Sequence, residues 1–100
     1  MPEDYKIYYC RHCNKFFLDK YKSSKCTGCA RFLNIDNVYI VRYISIKKDP
    51  AFIGGCLDYV RQNKKLFLNT AMYFFSKSEK EKKDIYLSYK RKWENGFKEE

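Results

Sequence analysis

Two Cys-x-x-Cys pairs, Cys10 with Cys13 and Cys26 with Cys29, bracket a short spacer in the stretch YYCRHCNKFFLDKYKSSKCTGCARF. Two intervening residues let a tight turn aim both sulfurs at one ion while backbone N–H groups face those sulfurs. A second such turn opposite the first completes a tetrahedron with Zn–S distances of about 2.3 Å. The spacer is shorter than the roughly 15–20 residues of one common zinc pattern, yet long enough for a short hairpin to run out and return. Four thiolates leave the metal no open position, so Cys10, Cys13, Cys26 and Cys29 are expected to hold a structural Zn²⁺. A rubredoxin-like iron centre would use the same ligands. Disulfides or thiol redox work fit less well, because a redox motif is more naturally one Cys-x-x-Cys opening a helix.

Each turn favours a residue tolerant of positive φ just after its second cysteine, for which glycine is the easy choice. Asn14 suits that position in the first turn. Ala30 suits it poorly in the second, where Gly28 is expected to relieve some strain. His12, inside the first pair, is expected to point outward. Cys56 falls on the apolar side of a helical pattern and is expected to be a buried structural thiol.

The remaining residues set the class of partner. The chain has 100 residues with 21 Lys and Arg against 12 Asp and Glu, a formal charge of +9. Four thiolates on one Zn²⁺ would lower this by about 2. A surplus of this size points to an anionic partner, nucleic acid before membrane. The segment from Arg11 to Lys48 is the most basic, with Arg11, Lys15, Lys20, Lys22, Lys25, Arg31, Arg42, Lys47 and Lys48 opposed only by Asp19 and Asp36. In KFFLDKYKSSK the lysines alternate with Phe16, Phe17 and Tyr21. Lysines can neutralise phosphates while exposed rings stack on unpaired bases. At least one of Phe16 and Phe17 is expected in the core, because adjacent strand residues face opposite sides. Lys90, Arg91 and Lys92 beside Trp93 fit either a binding surface or the edge of a packed helix.

The beginning of the sequence, MPEDYKIYYC, lacks a basic region followed by an apolar one, so it does not read as a signal peptide. No run approaches about 18 apolar residues. A reduced, cytoplasmic setting is therefore expected, without a membrane partner. With one histidine and no phosphate-binding glycine loop, the chain does not read as an enzyme.

Hydrophobic pattern divides one domain into a β part over residues 5–47 and a helical part over 49–96. Short β-like runs, YKIYY, KFFL and RFLNI, surround the cysteines, and Asp36-Asn37 fits a hairpin turn leading into VYIVRYISI. In that last run Val38, Ile40, Ile44 and Ile46 are expected on one face, interrupted by Arg42, with Tyr39, Val41 and Tyr43 on the other. Asp49 and Pro50 fit a helix start, followed by Ile53, Cys56, Leu57 and Val60 at helical spacing. Gly54 and Gly55 suggest close approach of another backbone. Residues 66–75 are nearly all apolar and are assigned to helix. Ser78 and Glu81 form a capping box, and Ile85, Tyr86, Tyr89 and Trp93 make a stripe ending at Asn95-Gly96. The alternating charges of KSEKEKKD, with Glu79 and Lys83 one turn apart, fit a solvated helix face. The expected class is α+β: a small antiparallel zinc ribbon with four cysteine ligands, extended by a strand and packed against a C-terminal helical part.

The stretches YKIYYCRHC and KSSKCTGCARFLNI, followed by AFIGGCLDYVRQN, resemble a small archaeal zinc-ribbon family of uncharacterised function. The resemblance spans roughly residues 5–64 and implies a metal on Cys10, Cys13, Cys26 and Cys29. Asn14 and Ala30 depart from its glycines, and residues 65–100 extend beyond it. More loosely, the chain is similar to small basic zinc ribbons of archaeal ribosomes and transcription complexes. The function expected is binding of structured RNA, ribosomal RNA foremost, as a ribosome-associated component. The alternatives are a protein-interaction module or subunit of a transcription or replication assembly, and a DNA-binding ribbon.

Overall fold

The computed structural model describes residues 3–46 and 50–94. Three strands and three helices follow one another as β1 (Glu3–Cys10), β2 (Lys15–Lys20), β3 (Val38–Ile46), α1 (Pro50–Gln62), α2 (Lys64–Phe75) and α3 (Glu79–Glu94). The fold is α+β, with an antiparallel sheet in the order β2-β1-β3. As the central strand, β1 has neighbours on both edges and layers on both faces, so every residue from Lys6 to Cys10 is buried.

Strand alternation sorts the side chains into two cores. Tyr8, Cys10, Val38, Ile40 and Tyr43 form one with Leu33, and Tyr86 and Tyr89 of α3 pack against it. Ile7 and Ile44 form the other with Val60 of α1, joined by Phe16, Leu18, Ile53, Cys56 and Phe67. Phe16 and Phe17 thus enter opposite cores. Phe17 stacks on Tyr8 at 5.4 Å, whereas Phe16 lies 5.2 Å from Tyr9.

The expected face of β3 is split. Tyr8 pairs with Ile40 and Ile7 with Arg42, leaving Val41 as the extra residue of a β-bulge. A bulge reverses which residues face each side. Val38 and Ile40 therefore share their core with Tyr43, while Ile44 belongs to the opposite one. The run RFLNI is also not a strand: only Lys25 and Phe32 form an isolated bridge. Asp36 and Asn37 do lie in a turn before β3, but β3 pairs with β1 rather than folding back on the preceding residues.

The helices follow their apolar spacing. Ile53, Cys56 and Val60 turn one side of α1 to the sheet. In α2, the segment assigned to helix, Ala71 and Phe74 are buried while Leu66, Met72 and Tyr73 are exposed. The capping box opens α3: Ser78 Oγ accepts from the Glu81 N–H at 3.3 Å and its hydroxyl reaches Oε1 at 3.1 Å. Ile85, Tyr86 and Tyr89 are half-buried along α3. Glu79 pairs with the buried Lys82 at 3.1 Å rather than with Lys83, so this part of α3 is not wholly solvated. A Cβ on Gly54 or Gly55 would meet nothing within 4 Å, so neither serves a close approach. Asp49, Asn95-Gly96 and the side chains of Ile46 and Trp93 lie outside the described residues. Among the described residues no helix is long and apolar enough to cross a membrane.

Candidate metal centre and its basic surroundings

Two matching turns carry the cysteines. Residues 11–14 join β1 to β2 and close with the Asn14 N–H donating to the Cys10 carbonyl at 2.8 Å; the Ala30 N–H closes the second on Cys26 at 2.9 Å. Asn14 and Ala30 both take positive φ, 53° and 58°. Ala30 thus occupies the left-handed conformation that glycine would adopt without strain. Gly28 has a different role from relieving that strain. A Cβ there would come within 2.7 Å of the Phe17 ring and 2.9 Å of Cys13 Sγ, so its missing side chain lets the second turn close over the first.

The four Sγ atoms all lie within 4.8 Å of one another. Cys10 and Cys29 are separated by 3.8 Å, Cys13 and Cys26 by 3.9 Å. A tetrahedron with metal–sulfur bonds of about 2.3 Å has edges of roughly 3.8 Å, so the sulfurs fit one metal ion with four thiolate ligands. These separations are far from a disulfide length of about 2.05 Å. The turns also supply N–H donors to sulfur, as Gly28 does to Cys26 at 3.4 Å. Burial opposes ionisation of Cys26, but the N–H groups of Cys29 and Gly28 and the Tyr8 hydroxyl outweigh it and bring the thiol down to about 7. Burial and the neighbouring thiols push Cys13 up to about 12.

The centre is pinned from the sheet. The Tyr8 hydroxyl accepts from the Thr27 N–H at 3.0 Å and contacts Thr27 Oγ1 at 3.2 Å. Thr27 in turn donates to Asp19 at 3.2 Å. Tyr9 donates to Asn14 Oδ1 at 3.0 Å, tying the first turn to β1. His12 is exposed on that turn, and Cys56 is half-buried against the α1 core, its thiol raised by burial while Arg42 opposes the shift.

Lys6 is the residue that sequence reasoning missed. It is fully buried, and its ammonium donates to the carbonyls of Lys20, Tyr21 and Ser23 at 2.9, 3.1 and 2.9 Å. Burial lowers its pKa to about 8, against the pull of Asp19. The spacer therefore leaves along β2, wraps the Lys6 ammonium at its far end, and returns as an irregular leg to Cys26. Alternation in YKIYY places Lys6 with Tyr8 and Cys10, which is the only local hint of its burial.

The described basic residues of the expected surface are all exposed, but they occupy separate regions. Lys20, Lys22 and Lys25 surround the wrapped loop, and Arg31 follows the second turn. Arg11 lies over the Phe75 ring at 5.2 Å. Lys15 shares a hollow with Arg61 and Lys64, two cations that the sequence reading did not include. Arg42 is on the α1 side, beside Cys56 and Phe52. Lys47 and Lys48 lie outside the described residues. The ring most open to solvent near the loop is Phe32, at 64%, rather than Phe16 or Phe17. The four-cysteine cluster could hold a metal ion in a zinc-ribbon-like arrangement; no protein-family model, curated protein or solved structure matches the chain.

Proposed function

We propose that this chain is a non-enzymatic zinc-ribbon protein that binds structured RNA, as a small ribosome-associated component of the cytoplasm. Zinc suits four thiolates at tetrahedral spacing, and filling all four positions with sulfur makes its role structural. The observation that carries the RNA reading is the wrapped loop. Lys20, Lys22 and Lys25 are exposed around a backbone held by Lys6 on one side and by the cysteine turn on the other. Such a loop presents cations to phosphates at little ordering cost. The archaeal ribosomal part of this reading is supported only by the chain's loose similarity in basic composition to small zinc ribbons of archaeal ribosomes.

One observation favours a protein partner instead. Leu66, Met72 and Tyr73 of α2 are 63%, 68% and 61% exposed, which suits a docking helix. Gradient sedimentation of a native extract at low and high salt separates the two. Co-migration with a ribosomal subunit that is lost on nuclease treatment is expected. A small, nuclease-resistant complex would refute the RNA reading and favour α2.

A further inference from the structure

Between the wrapped loop and α3 lies a groove of about 540 Å³, lined by Tyr21, Lys22, Ser24, Phe32, Tyr86 and Lys90, with Leu33 and Ser23 completing it. Its size falls in the range of about 300–1,000 Å³ typical of small-ligand sites. Both walls are fixed. Lys6 holds the carbonyls of Tyr21 and Ser23, and the Tyr86 hydroxyl donates to the Leu33 carbonyl at 2.9 Å. The groove therefore exists before any ligand arrives.

Its chemistry is divided in a way that narrows the ligand. Three aromatic side chains, Phe32, Tyr21 and Tyr86, supply flat apolar area. Lys22 stands on the loop wall and Lys90 on the α3 wall, Ser23 and Ser24 add hydroxyls, and no acidic residue is among the described residues lining it. Lys25 lies 5.3 Å from the centre of the Phe32 ring and is not among the residues lining the groove. A neutral peptide would satisfy the aromatics without needing the cations, and a paired helix would satisfy the cations without reaching the aromatics. A base with its phosphate satisfies both.

We infer that this groove binds an unpaired nucleotide of RNA, its base stacked on Phe32 and its flanking phosphates on Lys22 and Lys90. The inference rests on the RNA reading above and adds to it a discrimination for single-stranded over paired segments.

The test uses the metal-loaded full chain with an oligoadenylate, and with the same strand paired to oligouridylate. Phe32→Ala is expected to weaken single-strand binding roughly 5- to 150-fold while leaving the dependence on salt unchanged. Its effect on the duplex should be small. Lys22→Gln and Lys90→Gln should each lower the slope of log affinity against log salt by about 0.7 for the single strand. Amide chemical-shift changes on adding oligoadenylate should centre on Ser24, Phe32 and Lys90, which reports on the site independently of any variant. If the unaltered chain binds oligoadenylate with a strong salt dependence but Phe32→Ala leaves its affinity unchanged, the groove is overturned and the RNA reading stands. If it binds neither strand nor duplex, both are overturned.

Discussion

The Lys6 ammonium donates to the carbonyl of Lys20 at 2.9 Å, joining the central strand to a loop 14 residues later in the chain. Together with its bonds to Tyr21 and Ser23, this makes one buried cation the internal support of the surface loop. Lys6→Met keeps the apolar stem and leaves three carbonyls without that donor. It should destabilise the chain by about 1–3 kcal/mol, less than three independent losses because the exposed loop can rehydrate. Hydrogen exchange should speed up at Tyr21 and Ser23, whose amides bond to Asp4 and Lys20. Unchanged protection there would remove Lys6 from this role.

Lys6 also has a pH signature. Its folded-state pKa, lowered to about 8, lies below the ordinary value of 10.5, so the native state sheds this proton before the unfolded chain does. Stability of the native chain relative to Lys6→Met should accordingly rise between about pH 8 and 10.5. Denaturant midpoints of the two proteins across that range provide the measurement.

Buried phenols oppose this trend at higher pH. Burial pushes Tyr39 up to about 12, and raises Tyr8, Tyr43 and Tyr86 as well. Their folded values exceed the ordinary value of 10.0, so the stability they carry is complete below about pH 10 and is lost as pH rises beyond it. Tyrosinate absorbance should show Tyr8, Tyr39, Tyr43 and Tyr86 ionising above the ordinary phenol range, with part of the rise arriving only on unfolding. A single smooth titration with the fold intact would contradict these burials.

Two substitutions in the second turn should act in opposite directions. Ala30→Gly removes the left-handed strain at φ 58° and should stabilise by about 0.5–1 kcal/mol after the entropy of the unfolded glycine is counted. Gly28→Ala drives a methyl group into Phe17 and Cys13 Sγ and should weaken both stability and metal affinity. Thermal unfolding with chelator competition reads both effects.

Metal removal should dismantle the ribbon, since structural zinc sites contribute about 10–16 kcal/mol of binding energy in small finger peptides. Cobalt substitution should give the visible bands of a tetrahedral thiolate centre, and Cys26→Ser should shift or abolish them. Acid should release the metal as the thiolates take up protons. Four sulfurs that bind no divalent ion would overturn the zinc assignment.

Replacing Lys20, Lys22 and Lys25 together by Ala should reduce the slope of log RNA affinity against log salt by about 2–3. An unaltered slope would exclude the wrapped loop from the interface.

Local spacing alone determined the parts of this protein whose causes are local. A Cys-x-x-Cys pair specifies its turn within a few bonds, so Cys10, Cys13, Cys26 and Cys29 were legible as ligands, and Asn14 as a positive-φ residue. The capping box at Ser78 and the helical stripe through Val60 were legible for the same reason. Tertiary structure decided the rest, because it depends on partners far apart in the chain. The bulge at Val41 arises from pairing with β1 and reverses a face that perfect alternation would have kept. Lys6 reads as a surface residue until three carbonyls of a later loop surround it. Likewise, Phe32 and Lys90 meet across one groove because contacts distant in the chain fix α3, among them the Tyr86 hydroxyl on the Leu33 carbonyl, 53 positions away, and the Tyr43 hydroxyl on the Tyr89 carbonyl.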